Sequence, residues 1–406
     1  MITADFVLEQ IDHCAAEGLA YVAVHCHGGT ESVEFSDSDM RSHERGYPAL
    51  LDITGGPAVG ALVLTRKAAA GDIWLPGGTR IELDHLSVVG RPQETLRPHP
   101  ISLRGAAQRH DRQVRIFGEK GQDVIGRQKV AIVGLGGGGS LINEYLSRLG
   151  VGHLVLIDPE KIAISNLSRV VGSTRRDAHT WLGDESRPRW MQKLADRFAT
   201  PKVAIAARVA RQASKSVRVE QIVGDVTNDA VAQRLVDCDY IFLAADSMQA
   251  RLVVSAVSHQ YLIPMTQVGA KVSVDGTTGN ITNIFSVVRS SEPGSGCLWC
   301  NGLISASRLQ EEATAKEQLQ LQRYVDEADI TAPSVITLNA VAAAHAVDDY
   351  MMTVTGLLQD VNEATWYKFF PQESDVASET PRKDSDCFVC GPPRFGKGSL
   401  GRLPTK

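Results

Sequence analysis

No apolar run in this chain reaches membrane-spanning length, which excludes a helical membrane protein. There is no basic excess either. Lys and Arg number 42 against 47 Asp and Glu, a formal net charge of −5. That balance argues against nucleic-acid binding by bulk electrostatics. No internal repeat is visible, so a repeat array is not expected. No signal peptide is read at the start, and the expectation is a cytoplasmic location, where structural disulfides are disfavoured. What is present is ordinary for a globular chain: 406 residues, 43% hydrophobic and 22% charged, enough for two or three domains. The 36 glycines suit an α/β chain with many tight turns.

The most informative run is Gly134-Leu135-Gly136-Gly137-Gly138-Gly139-Ser140. It follows an apolar strand, 129–133, and opens a helical pattern, 141–149. A second apolar strand, 151–157, ends at Asp158. A turn without side chains lets backbone N–H groups approach phosphates at a helix N-terminus. An acid at the second strand tip can hold a ribose hydroxyl. The pattern therefore predicts nucleotide binding and leaves open hydride transfer or ATP cleavage.

The residues after Asp158 separate these readings. The segment 158–169 carries Asn166 and Arg169 in a short polar loop, and Lys202 follows in Thr200-Pro201-Lys202. Arg and Lys converging on one nucleotide suit a triphosphate. A later strand, 240–245, ends in Asp246-Ser247, and an acid at a strand tip facing the glycine turn suits Mg²⁺. A nicotinamide oxidoreductase would leave Arg169, Lys202 and Asp246 without a purpose.

These motifs resemble the ThiF/MoeB/HesA adenylyltransferases, bacterial relatives of ubiquitin-activating enzymes. Gly134, Gly136, Gly137, Gly139 and Ser140 match the family's GxGGxGS. Asp158, Glu160, Ser165, Asn166, Leu167 and Arg169 match DxDxxxxSNLxR, with Glu160 in place of the usual second Asp. Lys202 matches the lone lysine of the family, Asp246 its ATD-like strand end, and 109–113 its RYSRQ entry motif. The resemblance covers about residues 105–390. It implies that a ubiquitin-like or sulfur-carrier protein with a C-terminal glycine presents its carboxylate to the α-phosphate of ATP. It assigns the ribose to Asp158, the phosphates to Asn166, Arg169 and Lys202, and Mg²⁺ to Asp246. It also makes Arg112 an arginine finger in a neighbouring subunit, which requires a homodimer.

Cysteine spacing is the second signal. Four of seven form CxxC pairs, Cys297/Cys300 and Cys387/Cys390. Two such pairs can close a structural Zn²⁺ site that staples a long crossover, the alternatives being two disulfides or redox motifs. The resembled family often has this arrangement. No cysteine lies between Cys300 and Cys387, where many activating enzymes hold a thioester. Cys238 reads as a small core residue, and Cys14 and Cys26 lie in the N-terminal region. The expectation is direct hand-over to a conjugating-enzyme-like acceptor, or to a hydroxyl here. Thr331, Ser334 and Thr337 are the hydroxyls considered, with helix capping as their competing role.

The crossover, 305–330, contains a polar helical pattern over 310–325, read either as a solvated helix or as a lid. A helix with small residues, 336–358, is expected to pack closely on the sheet. The segment 175–198, with Trp181 and Trp190, is longer than a simple loop. The tail from Gly391 is Gly/Pro/Lys-rich and is expected to fray.

Near the N-terminus, His25-Cys26-His27 precedes Ser36-Asp37-Ser38-Asp39. An HxH pair followed by SxxD resembles the JAB/JAMM metalloproteases, which bind zinc through two His and one Asp. Alternate strand residues share a face, so His25 and His27 can act together. The family's upstream glutamate is missing, as are its first strands. The reading is a JAB-like, inactive domain whose His25/His27/Asp39 site is incomplete.

The expected fold is α/β: a doubly wound, mostly parallel, Rossmann-like sheet with an N-terminal α+β JAB-like domain and a zinc-stapled crossover. The domains expected are 1–100, 101–290 and 291–406. The expected function is ATP-dependent adenylation of a ubiquitin-like protein. The JAB-like part tilts this toward protein conjugation. A sulfur-carrier adenylyltransferase and a non-catalytic scaffold are the alternatives. No nucleic-acid or membrane partner is expected.

Overall fold

The computed structural model describes residues 3–100, 108–275, 278, 280–313, 333–358 and 365–406. The chain divides into two compact units. One comprises Met1–Val88 and Gln93–Arg104, the other Val89–Pro92 and Gly105–Lys406. Residues 291–406 thus belong to the nucleotide unit rather than standing apart.

The first unit has helices α1 (Ala4–Glu17) and α2 (Asp37–Thr54) and strands β1 (Tyr21–Cys26), β2 (Val59–Leu64), β3 (Ala69–Leu75) and β4 (Thr79–Glu82). The four strands form a sheet in order β1-β2-β3-β4, with β1 and β2 parallel. A small hairpin pairs β5 (Leu86–Val88) with β6 (Glu94–Leu96). α2 starts with a capping box: Ser36 Oγ accepts from Asp39 N–H, and the Asp39 carboxylate accepts from Ser36 N–H at 2.8 Å. Its core joins Tyr47 and Leu51 of α2 to Val59, Ala61 and Trp74 of the sheet.

The second unit is built on an eight-stranded sheet. Its strands are β7 (Lys129–Val133), β8 (His153–Ile157), β9 (Arg218–Ile222), β10 (Tyr240–Leu243), β11 (Met265–Val274), β12 (Ile281–Ser291), β13 (Trp366–Phe370) and β14 (Asp375–Glu379). The order is β14-β13-β12-β11-β10-β7-β8-β9. Strands β11-β10-β7-β8-β9 run parallel, and β12, β13 and β14 add an antiparallel wing. The parallel part alone is doubly wound, so the sheet is less uniformly parallel than expected.

Nine helices of this unit are described: α3 (Asp111–Arg127), α4 (Gly137–Leu149), α5 (Thr180–Gly183), α6 (Arg189–Phe198), α7 (Lys202–Ala213), α8 (Asp229–Ala232), α9 (Met248–Gln260), α10 (Ala306–Ala313) and α11 (Ile336–Thr355). The central strands are apolar on both faces because helices cover both. Along β7, Val130 and Ile132 enter one core, with α4, α7 and α11. Ala131 and Val133 enter the other, with α9 and the four paired cysteines. Tyr240/Phe242 and Ile241/Leu243 of β10 divide in the same way. The small residues of α11 are packed as expected: Ala342, Ala343 and Ala346 are buried.

One feature departs from the sequence reading. The tail from Gly391 does not fray. Gln260 Nε2 donates to Gly398 O and Gly401 O, Arg394 donates to Gln260 Oε1, and Leu403 is buried. A buried glutamine at the end of α9 gives a Gly/Pro-rich segment the partners that its own side chains lack. The polar pattern over 310–325 is helical through Ala313 in α10; its remainder, and Thr331, lie outside the described residues.

Arg91, in the short strap Val89–Pro92, is buried inside this unit. Its guanidinium donates to both Asp349 oxygens, and Glu292 lies 3.7 Å away. Burial pushes the Glu292 carboxyl up to about 7, against the pull of Arg91. The folded state therefore holds a proton on Glu292 that the unfolded chain releases above its ordinary pKa near 4.5. Stability from this group falls as pH rises from about 4.5 to 7. Glu292→Gln is expected to gain about 2–3 kcal/mol relative to the unsubstituted protein at pH 8, and nothing at pH 4. Chemical denaturation of both proteins at the two pH values checks this.

Candidate functional site

The parallel order β11-β10-β7-β8-β9 reverses direction between β7 and β10, the switch point where ligands bind in such sheets. The glycine turn sits there. Gly134 has φ +89°, and a Cβ on it would lie 2.8 Å from Ala245 N at the end of β10. Only glycine fits that position. Gly139 lets α4 press on the turn, since a Cβ there would overlap Gly134 O.

Around the turn opens a cavity of about 620 Å³. Gly134, Gly136, Gly137, Asp158, Glu160, Asn166, Arg169, Lys202 and Asp246 all line it. Two sequence expectations, Gly139 and Ser140, fall elsewhere. Gly139 does not line the cavity. Ser140 is buried, its hydroxyl donating to Gly137 O and accepting from Val171 N–H, so it braces the turn. Arg112 is exposed on the first turn of α3 and does not line the cavity. Its neighbours anchor that helix: Arg109 donates to Ala213 O and Ser214 Oγ, and Gln113 to Leu149 O.

Asp158 ties the turn to the tip of β8. One oxygen accepts from Leu135 N–H at 2.7 Å, the other from Glu160 N–H at 2.8 Å. Burial raises its pKa, and those N–H groups with Lys202 act against the rise. Lys202, first residue of α7, is buried and forms a close ion pair with Glu160. Arg169 donates to Ser165 O at 3.0 Å. Ser247, not Asp246, caps α9 by accepting from Ala250 N–H. The Asp246 carboxylate is therefore not spent on the helix.

The N-terminal ends of four helices meet at this cavity: α4 at Gly137, α7 at Lys202, α9 at Ser247 and α11 at Ser334. Each helix end carries about half a positive charge. With Lys202 and Arg169 these helix ends offer positive charge suited to a polyphosphate, set among the carboxylates of Asp158, Glu160, Asp225 and Asp246.

Sequence reasoning missed three residues here, Asn339, Glu312 and Arg251, and weighed Ser334 only as an acceptor hydroxyl or a helix cap. Asn339 of α11 lies over the turn, its Nδ2 2.6 Å from where a Cβ on Gly137 would be. That amide donates to Ser334 Oγ at 3.2 Å and Val335 O at 3.0 Å, holding the chain entering α11 against the cavity. No side-chain hydroxyl caps α11; Val335 occupies that position, so Ser334 faces the site instead. Glu312 of α10 accepts from Met248 N–H and Gln249 N–H, at 2.8 and 2.9 Å, beside Asp246. Arg251, five residues beyond Asp246, also lines the cavity. Only Arg251 had a local signal, its nearness to Asp246. Asn339→Ala is expected to raise KM for ATP about three- to tenfold, with the melting temperature within about 2 °C. Steady-state kinetics with thermal melts checks this.

Two clusters have metal-ligand chemistry. Cys297, Cys300, Cys387 and Cys390 are buried; Cys297–Cys300, Cys297–Cys387 and Cys300–Cys390 have Sγ–Sγ separations of 3.5 to 3.7 Å, and all four sulfurs lie within 4.8 Å of one another. A tetrahedral zinc with Zn–S near 2.3 Å places its sulfurs about 3.8 Å apart. All seven cysteines are free thiols, so the four are not paired as disulfides. Hydrogen bonds from Cys297 first, then Cys300 and Cys387, hold the Cys390 thiol down at about 5. Cys238 is buried and its thiol pushed up to about 12 by burial, as suits a core residue.

The second cluster is His25, His27 and Asp39 in the first unit. The two Nε2 atoms lie 3.2 Å apart, and Asp39 oxygens lie 3.6 and 3.2 Å from them. His27 Nδ1 bonds Glu34 O at 3.1 Å, which turns Nε2 toward Asp39. Burial acts upward on Asp39, but Ser36 and the two histidines hold it below the usual carboxylate range.

The chain is similar to several known proteins. It is 28% identical over 184 residues to the tRNA threonylcarbamoyladenosine dehydratase of Escherichia coli K12, covering 45% of this chain and 61% of that one. It is 30% identical over 184 residues to the sulfur carrier protein ThiS adenylyltransferase of Bacillus subtilis, covering 45% and 46%. The match thus spans about half the length of these curated relatives. Among solved structures, E. coli MccB with MccA-N7isoAsn superposes with a TM-score of 0.53 at 18% identity, over 71% of this chain and 76% of that one. That likeness concerns the fold. The sequence pattern of the ThiF family runs over residues 110–387, from the first turns of α3 through the glycine turn and Lys202 to Cys387. With the glycine turn, the cavity around it, the first CxxC pair and Cys387 of the second inside that span, the chain belongs to the ThiF family.

Proposed function

We propose that this protein adenylates the C-terminal carboxylate of a ubiquitin-like or sulfur-carrier protein. The observation that carries the reading is the convergence of Asp158, Asn166, Arg169, Lys202 and Asp246 with the glycine turn on one cavity. A carboxylate oxygen attacks the α-phosphorus of ATP, the bond to the β-phosphate oxygen breaks, and the products are an acyl-adenylate and pyrophosphate. The work of the chain is positioning and charge stabilisation. Lys202 exchanges Glu160 for phosphate oxygens, Arg169 and Asn166 flank them, and Asp158 takes the ribose. Asp246 would hold Mg²⁺, which shields phosphate charge. Arg112, exposed and outside its own cavity, is assigned to the site of a second copy, so the working state is a homodimer.

The four buried thiols fit a structural Zn²⁺, which would hold the Cys297–Cys300 and Cys387–Cys390 segments together. The first unit is read as a JAB-like remnant. His25, His27 and Asp39 fit a zinc ion, while Glu9 and Glu17, the only upstream glutamates, lie on α1. No cysteine follows Cys300 before Cys387, and Cys238 is buried, so the adenylate passes to an acceptor protein. The free thiols accord with a cytoplasmic enzyme. Among the described residues, no helix is long and apolar enough to cross a membrane.

ATP–pyrophosphate exchange with Gly-Gly-terminated carrier proteins tests the reading, with Asp246→Ala as control. Exchange that needs a carrier and is lost in the control supports it. No exchange with any such carrier favours a scaffold. Exchange only with a carrier that then receives sulfur favours the cofactor-synthesis alternative.

A further inference from the structure

Arg251 and Arg289 of the second unit are largely buried guanidinium groups that make no ion pair among the described residues; Asp246 and Glu312 act on Arg251, and Glu379 on Arg289, only from farther away. Arg251 of α9 lines the nucleotide cavity beside Asp246, Val268, Gly269 and Ala270. Its Nη1 donates to Leu303 O at 3.1 Å, and its Nε is buried without a partner. Arg289 of β12 stands opposite Gln267 of β11, donates to Gln267 Oε1 at 2.7 Å, and lies over the Trp366 ring. Burial first, then the charge of Arg251, pulls Arg289 down to about 10. A cation kept buried and without an anionic partner costs stability unless something supplies its counter-charge. An orphaned N–H at a cavity wall calls for an acceptor brought by a ligand.

Adenylation, the proposed function on which this inference rests, brings a ligand lacking any receptor so far. Two anions must meet: ATP, served by Lys202, Arg169 and the glycine turn, and a carboxylate that those phosphates repel. We infer that Arg251, backed by Arg289, is the receptor for the carboxylate to be activated, which enters the cavity beside β11 at Val268–Ala270. The free guanidinium edge offers the forked pairing that carboxylates prefer. Its field offsets the repulsion as the carboxylate nears the α-phosphate. The bond to Leu303 O fixes the side chain from the loop that follows Cys300, so Arg251 is ordered before the substrate arrives.

The test uses the full chain saturated with AMP-CPP and Mg²⁺. The probe is a hexapeptide ending in Gly-Gly, offered as free acid and as C-terminal amide, with binding read by calorimetry. The unsubstituted protein is expected to prefer the acid by at least about tenfold. Arg251→Gln should reduce that preference below about twofold while AMP-CPP affinity stays within about threefold. Arg251→Lys, which keeps the charge and can still reach the Leu303 carbonyl, should lose part of the preference. It decides the matter if Arg251→Gln does not fold. Three results overturn the proposal: no preference for acid over amide, a preference that survives both substitutions, or a loss of AMP-CPP affinity beyond about tenfold in Arg251→Gln, which assigns the guanidinium to phosphate. If the unsubstituted protein does not bind AMP-CPP, the adenylation reading itself has failed, and that is seen before any peptide is added.

Discussion

Lys202→Ala is expected to weaken Mg·ATP binding about 10- to 100-fold and to lower pyrophosphate exchange by about 10²–10³. Lys202 is the buried cation of the cavity, with 6% exposure, and it begins α7, so its charge adds to that of a helix end. Its partner Glu160 has a largely exposed carboxylate, with 68% of the side chain accessible. Losing the lysine strands no charge at Glu160, and the buried Asp158, which Lys202 also favours, keeps its bonds from Leu135 and Glu160 N–H, so the melting temperature should fall only modestly. The effect then belongs to the ligand and not to the fold. Glu160→Gln makes the complementary case: it frees Lys202 without removing it, and ATP binding should hold or tighten. Calorimetry with AMP-CPP reads both variants. Equal ATP affinity in Lys202→Ala and the unsubstituted protein would remove Lys202 from the phosphate site.

The largest stability effect is expected at the cysteines. If the four thiols hold the zinc proposed for them, about one ion per chain, Cys387→Ser should abolish its binding and lower the melting temperature by about 10 °C or more. The four thiols are buried in the same core as α9. Through Leu303 O and Glu312, the segment leaving Cys300 also holds the first turns of α9, where Asp246 and Arg251 stand. Losing the metal should thus loosen the nucleotide site from behind, and ATP affinity should fall along with stability. Cys238→Ser, at a buried thiol outside the cluster, should leave zinc content unchanged. Atomic emission for zinc and scanning calorimetry separate the two. An unsubstituted protein purified without zinc, and indifferent to added zinc, would end the assignment.

Much of the nucleotide site was legible in the chain. Gly134, Asp158, Lys202 and Asp246 stand at strand or helix ends, and strand periodicity with turn chemistry locates such ends without tertiary information. Ser140 misled because its motif position says nothing of which way a hydroxyl points; here it is drawn inward by Gly137 O and Val171 N–H. Asn339 and Glu312 were illegible, and Ser334 was weighed only as an acceptor hydroxyl or a cap. Asn339 reaches the cavity, and Glu312 the start of α9 beside it, from helices far along the chain, and nothing in their local spacing announces that approach. Arg91 is the same case: a charged residue in a short strap reads as solvated until Asp349 and Glu292 are seen around it.

Local patterns were enough to indicate an α/β chain with a glycine turn at a helix start, a set of cationic and acidic side chains that converge on one cavity, and four thiols in two pairs. Backbone geometry and periodicity act over a few residues, and these features live on that scale. Folding alone settled that the wing beyond β11 is antiparallel, that the tail is held by Gln260, that the four thiols gather in one cluster, and that Arg251 lines the cavity with its Nε unpartnered. Those outcomes depend on which distant surfaces exclude water together, a property of the packed whole that no single segment carries.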